Sequence, residues 1–248
     1  GSLTQNSDTP AVVTTTNTLF KLSEIIVGAG KASLTVGAQP REGTLSTISA
    51  GGRLSLENNS ASGALTINAG IVMNTTTGSL VKAGAGKVLL AGENTYSGAT
   101  AVVQGELAFG PGNHAIGQLM VNTASFVVTN AAASYIYVAS NSAYIGQNAG
   151  DVGRMTLGGN AAWSGFLYPK YSGQTTLNVG NSGQGLLTLQ DSASITQRLY
   201  VGNNTGSAGA VYQNGGVMHN WGGGSSDPRI GAYGYGYYEL NGGTFTNM

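Results

Sequence analysis

A short run ending in Val-Gly or Ile-Gly recurs four times after residue 143, and this repetition limits the possible folds more than any other feature. The four runs are Tyr144-Ile145-Gly146, Asn178-Val179-Gly180, Tyr200-Val201-Gly202 and Arg229-Ile230-Gly231. Five or seven residues later a glycine opens a second run, at Gly153, Gly185, Gly209 and Gly236. The second residue after that glycine is always apolar: Met155, Leu187, Val211 or Tyr238. The third is Thr156, Thr188, Tyr212 or Glu239, and alternation along a strand turns it outward. A turn follows, twice Asn-Gly-Gly, and then a third short run. Runs of three to five residues with period two read as strands. None can bury a face alone, so each unit needs a copy above and below it. Tandem three-strand units predict the coils of a parallel β-solenoid, stacked at roughly 4.8 Å. An antiparallel sandwich or a propeller would also give short strands at regular intervals. The solenoid is preferred because no two-residue hairpin turn recurs at fixed places.

The rest of the chain keeps the same rhythm. Leu34-Thr35-Val36-Gly37, Gly52-Arg53-Leu54-Ser55-Leu56 and Gly63-Ala64-Leu65-Thr66-Ile67 are further period-two runs bounded by glycine. No segment carries helical periodicity. The chain has 41 glycines in 248 residues but only 5 prolines and no strict third-position glycine, which excludes collagen. With 41 % hydrophobic and 8 % charged residues it does not have the composition of a disordered chain. All five prolines fall between the expected strands, as they must if the strands are internal to a sheet. Residues 1–18 read as a leader or as the N-terminal edge of the first coil, with Gly1-Ser2 resembling a cloning remnant. The expectation is an excised fragment, with the solenoid over 19–248. The Gly146-to-Gly180 and Gly202-to-Gly231 intervals are 34 and 29 residues, against 22 for Gly180 to Gly202. The extra residues map to 164–174 and 221–227. Such insertions project from one face of a solenoid and often bind.

Residues 80–109 read LVKAGAGKVLLAGENTYSGATAVVQGELAF. This stretch resembles the autotransporter-associated β-strand repeat, also called the passenger-associated transport repeat, of Gram-negative type V secreted proteins. The matching positions are Leu80, Lys82, Gly84, Gly86, Val88, Leu90, Gly92, Asn94, Tyr96, Gly98, Thr100, Val102, Gly105 and Leu107. The later Val-Gly units are similar to a second repeat of the same secreted proteins. The resemblance implies a right-handed, single-stranded parallel β-helix, presented at the cell surface or outside a Gram-negative bacterium. It also implies an adhesin, a self-association factor or a carrier for a separate catalytic domain.

The residues themselves offer little chemistry. Zero Cys excludes thiolate metal sites and Cys nucleophiles. His114 and His219 are the only histidines, and no Gly-x-Ser-x-Gly elbow surrounds any serine. A carboxylate-pair glycosidase needs two close acids, whereas Asp151, Asp191, Asp227 and Glu239 are expected roughly one coil or more apart in the stack. No catalytic, cofactor or metal residue is therefore assigned, and a polysaccharide-active β-helix enzyme is the least favoured reading. Zero net charge, with ten basic residues scattered along the chain, gives no footprint for nucleic acid. No apolar run approaches the roughly 20 residues of a helical membrane span. Aromatic residues carry the functional expectation, since they bring large contact area at low entropy cost. The candidate contacts are Trp163, Phe166, Tyr168 and Tyr171 near one insertion, and Trp221, Tyr233 and Tyr235 near the other. Tyr237 and Tyr238 are divided between surface and core. The expected partner is a host or bacterial surface glycan or protein, or a second copy of the chain. A ligand-free structural stalk is the alternative.

Overall fold

A computed structural model describes residues 1–16, 19–73, 77–139, 142–165, 175–220 and 227–247. Among them every secondary-structure element is a strand, and every strand pairing with a stated direction is parallel. Twenty-three strands form one continuous sheet and three more form a small second sheet. The pairings sort the strands into three columns, each adding one strand per coil: a parallel β-solenoid.

The first column begins with Ser2–Gln5, Glu24–Val27 and Arg53–Asn58. It ends with Ala143–Ile145, Thr176–Val179, Arg198–Val201 and Arg229–Ile230. Its register sets Ile145 on Val179, Val179 on Val201 and Val201 on Ile230, so the four Val-Gly and Ile-Gly runs stack as the repeat predicts. The second column contains Val152–Leu157 and Gln184–Leu189, followed by the first parts of Ala208–Asn220 and Tyr235–Asn247. There Gly153, Gly185, Gly209 and Gly236 are in register, with Thr156, Thr188, Tyr212 and Glu239 beside them. The third column includes Ser134–Val138, Ala161–Ser164 and Ser194–Thr196. At the other end of the chain, Ser2–Gln5 pairs with Glu24–Val27 and Ala11–Val13 with Leu34–Val36. Residues 2–13 thus form strands of the first coil.

In the four later coils two glycines make the corner between the first and second columns. Gly180 has φ +71°, a left-handed conformation that an L side chain resists. Gly185 points inward, where an added Cβ would lie 2.2 Å from the Gly180 nitrogen and 2.5 Å from the Ile145 oxygen. The chain can therefore fold back on itself tightly enough to keep the coil narrow. Coil length varies at the loops and not in the columns: Ala101 pairs with Met120, 19 residues on, and Tyr144 with Asn178, 34 residues on.

Alternation fills the interior. Leu54, Leu80, Val88, Leu107, Phe126, Met155, Leu187 and Val211 are fully or almost fully buried. An aromatic string runs through the core. Phe109 meets Phe126 edge-on at 5.0 Å, and Phe126 meets Trp163 at 6.0 Å. Two buried polar side chains are tied to backbone. Lys82 Nζ donates to the carbonyl oxygens of Ala83, Gly84 and Gln104, and so joins turns of successive coils. His114 accepts from Asn94 Nδ2 at 2.8 Å and donates from Nε2 to the Gly110 carbonyl at 2.9 Å.

Candidate functional site

The outward residues of the second column build a concavity on the surface. Along each strand, the residues on either side of the stacked glycine point to solvent. One outward row is Val152, Gln184, Ala208 and Tyr235; the next is Arg154, Leu186, Ala210 and Tyr237. Ala208 and Ala210 are small and leave a dip between larger neighbours. The result is a shallow trough of ≈ 290 Å³ that runs across the strands, along the solenoid axis. Tyr235 and Tyr212 wall one end, and Val152 and Arg154 the other.

Tyr212 and Tyr237 extend the aromatic wall, with ring centroids 5.8 Å apart and planes at 55°. The Tyr237 hydroxyl donates to Glu239 Oε2 at 2.6 Å. That bond raises the phenol pKa and lowers that of the carboxyl, so Glu239 is ionised and already engaged at neutral pH. Arg154, exposed at the opposite end, is the only charged residue among the described residues lining the trough. It takes part in none of the ion pairs found among the described residues. The trough thus joins an aromatic end to a cationic one.

The seven aromatic candidates part company here. Tyr235 is 68 % exposed and lines the trough. Tyr233 is 69 % exposed and lines a second hollow with Pro228, Arg229, Ile230 and Ala232. Phe166, Tyr168, Tyr171 and Trp221 lie outside the described residues. Trp163 requires a correction: it is 1 % exposed and belongs to the core, so it cannot serve as a ligand contact. Its indole Nε1 donates to Gln197 Oε1 at 2.6 Å. Gln197 Nε2 then donates to Thr175 Oγ1, and Thr175 Oγ1 donates to the Gly165 carbonyl. This buried chain fastens the two residues that flank 166–174, so Trp163 anchors the base of the insertion from within. Tyr237 points outward, whereas Tyr238 packs inward against Phe245.

Arg154, Tyr212 and Tyr237 were not among the expected contacts. The signal for them was present in the aligned glycines of the second run, whose flanking positions form the two outward rows. Both insertions fall in the sequence where the chain passes from a strand of the third column to a strand of the first. Ala161–Ser164 precedes one and Thr176–Val179 follows it; Ala208–Asn220 precedes the other and Arg229–Ile230 follows it.

The acids serve turns. Asp151 Oδ2 accepts from the Asn148 nitrogen, and Asp191 Oδ2 from the Gly159 nitrogen. Burial lowers the His114 pKa, which keeps the ring neutral in its two hydrogen bonds. Among the described residues no group of three His, Cys, Asp or Glu gathers where a metal ion could be held.

A family model, the passenger-associated-transport-repeat, matches residues 51–72 and 80–109. The first match covers Arg53–Asn58, Leu65–Ile67 and Gly70–Ile71, one strand from each column. The second begins within Ser79–Ala83 and ends with Glu106–Phe109, so it spans more than one coil. No curated protein and no solved structure matches the chain significantly.

Proposed function

We propose that this chain, whose coils include the passenger-associated transport repeats of autotransporters, is a non-catalytic adhesive passenger region displayed at the surface of a Gram-negative bacterium. In this reading it attaches to a host or neighbouring cell through the tyrosine-walled trough of the second column. The trough carries the proposal: an open concavity on a sheet, with the exposed side chains of Tyr212 and Tyr235 at one end and Tyr237 beside Tyr212. Aromatic side chains at such a place bring contact area that is largely ordered before binding. The repeats support surface presentation, since they are those of autotransporter passengers. A non-catalytic role is supported by the acids of the later coils, which are used in turns and in the Tyr237 contact.

The test is attachment of the purified chain to cultured epithelial cells and to bacterial cells lacking it. The double variant Tyr212→Ala/Tyr235→Ala is expected to lose most attachment while keeping its thermal melt. Attachment equal to that of the parent chain would remove the trough from the proposal. Failure of the parent chain to attach to any cell would favour the stalk reading.

A further inference from the structure

The geometry points to an acidic oligosaccharide as the occupant of the trough, lying along the solenoid axis with a sugar face on Tyr212 and Tyr235 and a carboxylate or sulfate on Arg154. This rests on the trough being the adhesive site and goes on to name what fills it.

The direction of the trough argues first. It crosses successive strands whose backbone groups are already paired from coil to coil, as in the registers through Arg154, Leu186 and Ala210. An extended peptide gains affinity on a sheet by adding a strand at a free edge. This floor offers no such edge, only side chains and the faces of rings. The ligand must therefore be recognised by flat apolar surface, hydroxyl groups and charge.

Each of these has a counterpart in the trough. Tyr212 and Tyr235 present rings at one end. Exposed Gln184 contributes a side-chain amide on the wall, able both to donate to and to accept from hydroxyls. The dip at Ala208 and Ala210 admits a ring-shaped group lying flat. Arg154 supplies a planar fork of donors that matches a carboxylate or sulfate. Its position is two coils from Ala210, roughly 10 Å along the axis at the spacing of stacked strands. A ligand touching both ends must therefore be longer than a single sugar. Charge complementarity decides between neutral and acidic saccharides. Glu239 is held by Tyr237, and Arg154 faces the trough without an ion-pair partner among the described residues.

The experiment measures binding of the full chain to immobilised oligogalacturonates, sulfated glycosaminoglycan fragments and neutral oligosaccharides of equal length. Arg154→Gln, Arg154→Lys and Tyr235→Ala are compared with the parent, each checked for an unchanged melting curve. The expected result is binding to at least one acidic series. Arg154→Gln should weaken it about tenfold, from loss of a charge-assisted contact, and Arg154→Lys should restore part of it. Tyr235→Ala should weaken acidic and neutral binding alike. Equal binding of neutral and acidic ligands, unchanged in Arg154→Gln, would overturn the inference and leave the adhesive reading standing. So would cell attachment that depends on Tyr235 and survives enzymatic removal of the acidic glycans but is abolished by proteolysis of the target surface, which points to a protein partner. No binding to any saccharide, with cell attachment insensitive to Tyr212 and Tyr235, would remove both readings.

Discussion

Lys82 illustrates how a single residue can hold two coils together. It stands in an otherwise apolar interior column, on Leu56 in one neighbouring coil and Val102 in the other. Burial lowers its pKa to about 8, while Glu106 and Glu57 oppose the shift. At neutral pH the ammonium is charged, and its three protons match the three carbonyl acceptors. Unfolded, the side chain titrates near its ordinary value of 10.5. Between these two values the unfolded chain binds more protons than the folded one, so this group makes stability rise with pH there. The slope cannot exceed about 1.4 kcal/mol per pH unit for one proton. Urea melts at pH 8, 9 and 10 should show the rise in the parent chain and a flatter profile in Lys82→Met. Equal slopes in the two proteins would refute this account of Lys82. His114 shows the same sign at lower pH. Its neutral ring is held by two hydrogen bonds, so stability should fall as pH drops below its ordinary pKa of 6.5.

At the scale of elements, the corner is the unit that repeats. Gly180 supplies the left-handed turn and Gly185 the close approach, and both contact backbone rather than movable side chains. Gly185→Ala should therefore cost about 3 kcal/mol, because a Cβ there displaces the corner. Gly150→Ala is a useful comparison. Its φ of +88° brings backbone strain, but nothing lies within 4 Å of the added Cβ. Its cost should stay near 1 kcal/mol. Chemical denaturation of the two variants checks the difference; equal losses would mean that turn conformation, not close approach, selects both glycines. The opposite corner tolerates length. There the chain leaves the third column and re-enters the first, and the described strands that flank 166–174 and 221–226 keep their parallel pairings.

For the whole molecule, charge contributes little to stability. Among the described residues the three ion pairs Lys31–Asp8, Arg41–Glu93 and Lys87–Glu106 each have both partners about a third or more exposed. Such pairs are worth at most about 1 kcal/mol each and weaken in salt. The stack is held by backbone pairing and a continuous apolar interior. Raising sodium chloride from about 0.05 M to about 1 M should thus leave the thermal midpoint within a few degrees, the change expected for about 1 kcal/mol. A large drop would show that charge matters more than the burial pattern indicates.

Much of this architecture was legible in the sequence, because a solenoid repeats its local rules. Alternation places Met155, Leu187 and Val211 inside, and the paired glycines set where each strand starts, so the order and register of the later coils follow. Trp163 escaped this logic. Its strand, Ala161–Ser164, is short and otherwise made of small residues, so alternation does not reveal which side faces inward. Only the packing of Trp163 against Phe126 and its bond to Gln197, 34 residues away, put it in the core. The trough was hidden for a related reason. The aligned glycines give the outward rows, but not how the side chains of those rows lean to leave a hollow between them. By itself, then, the sequence determined the repeating coil, its corners and the inward row of each strand, all governed by contacts within a few residues. Tertiary structure alone decided that the outward rows through Arg154, Ala210 and Tyr235 enclose a concavity, because a hollow is the joint product of several side-chain conformations from stacked coils and not of any local rule.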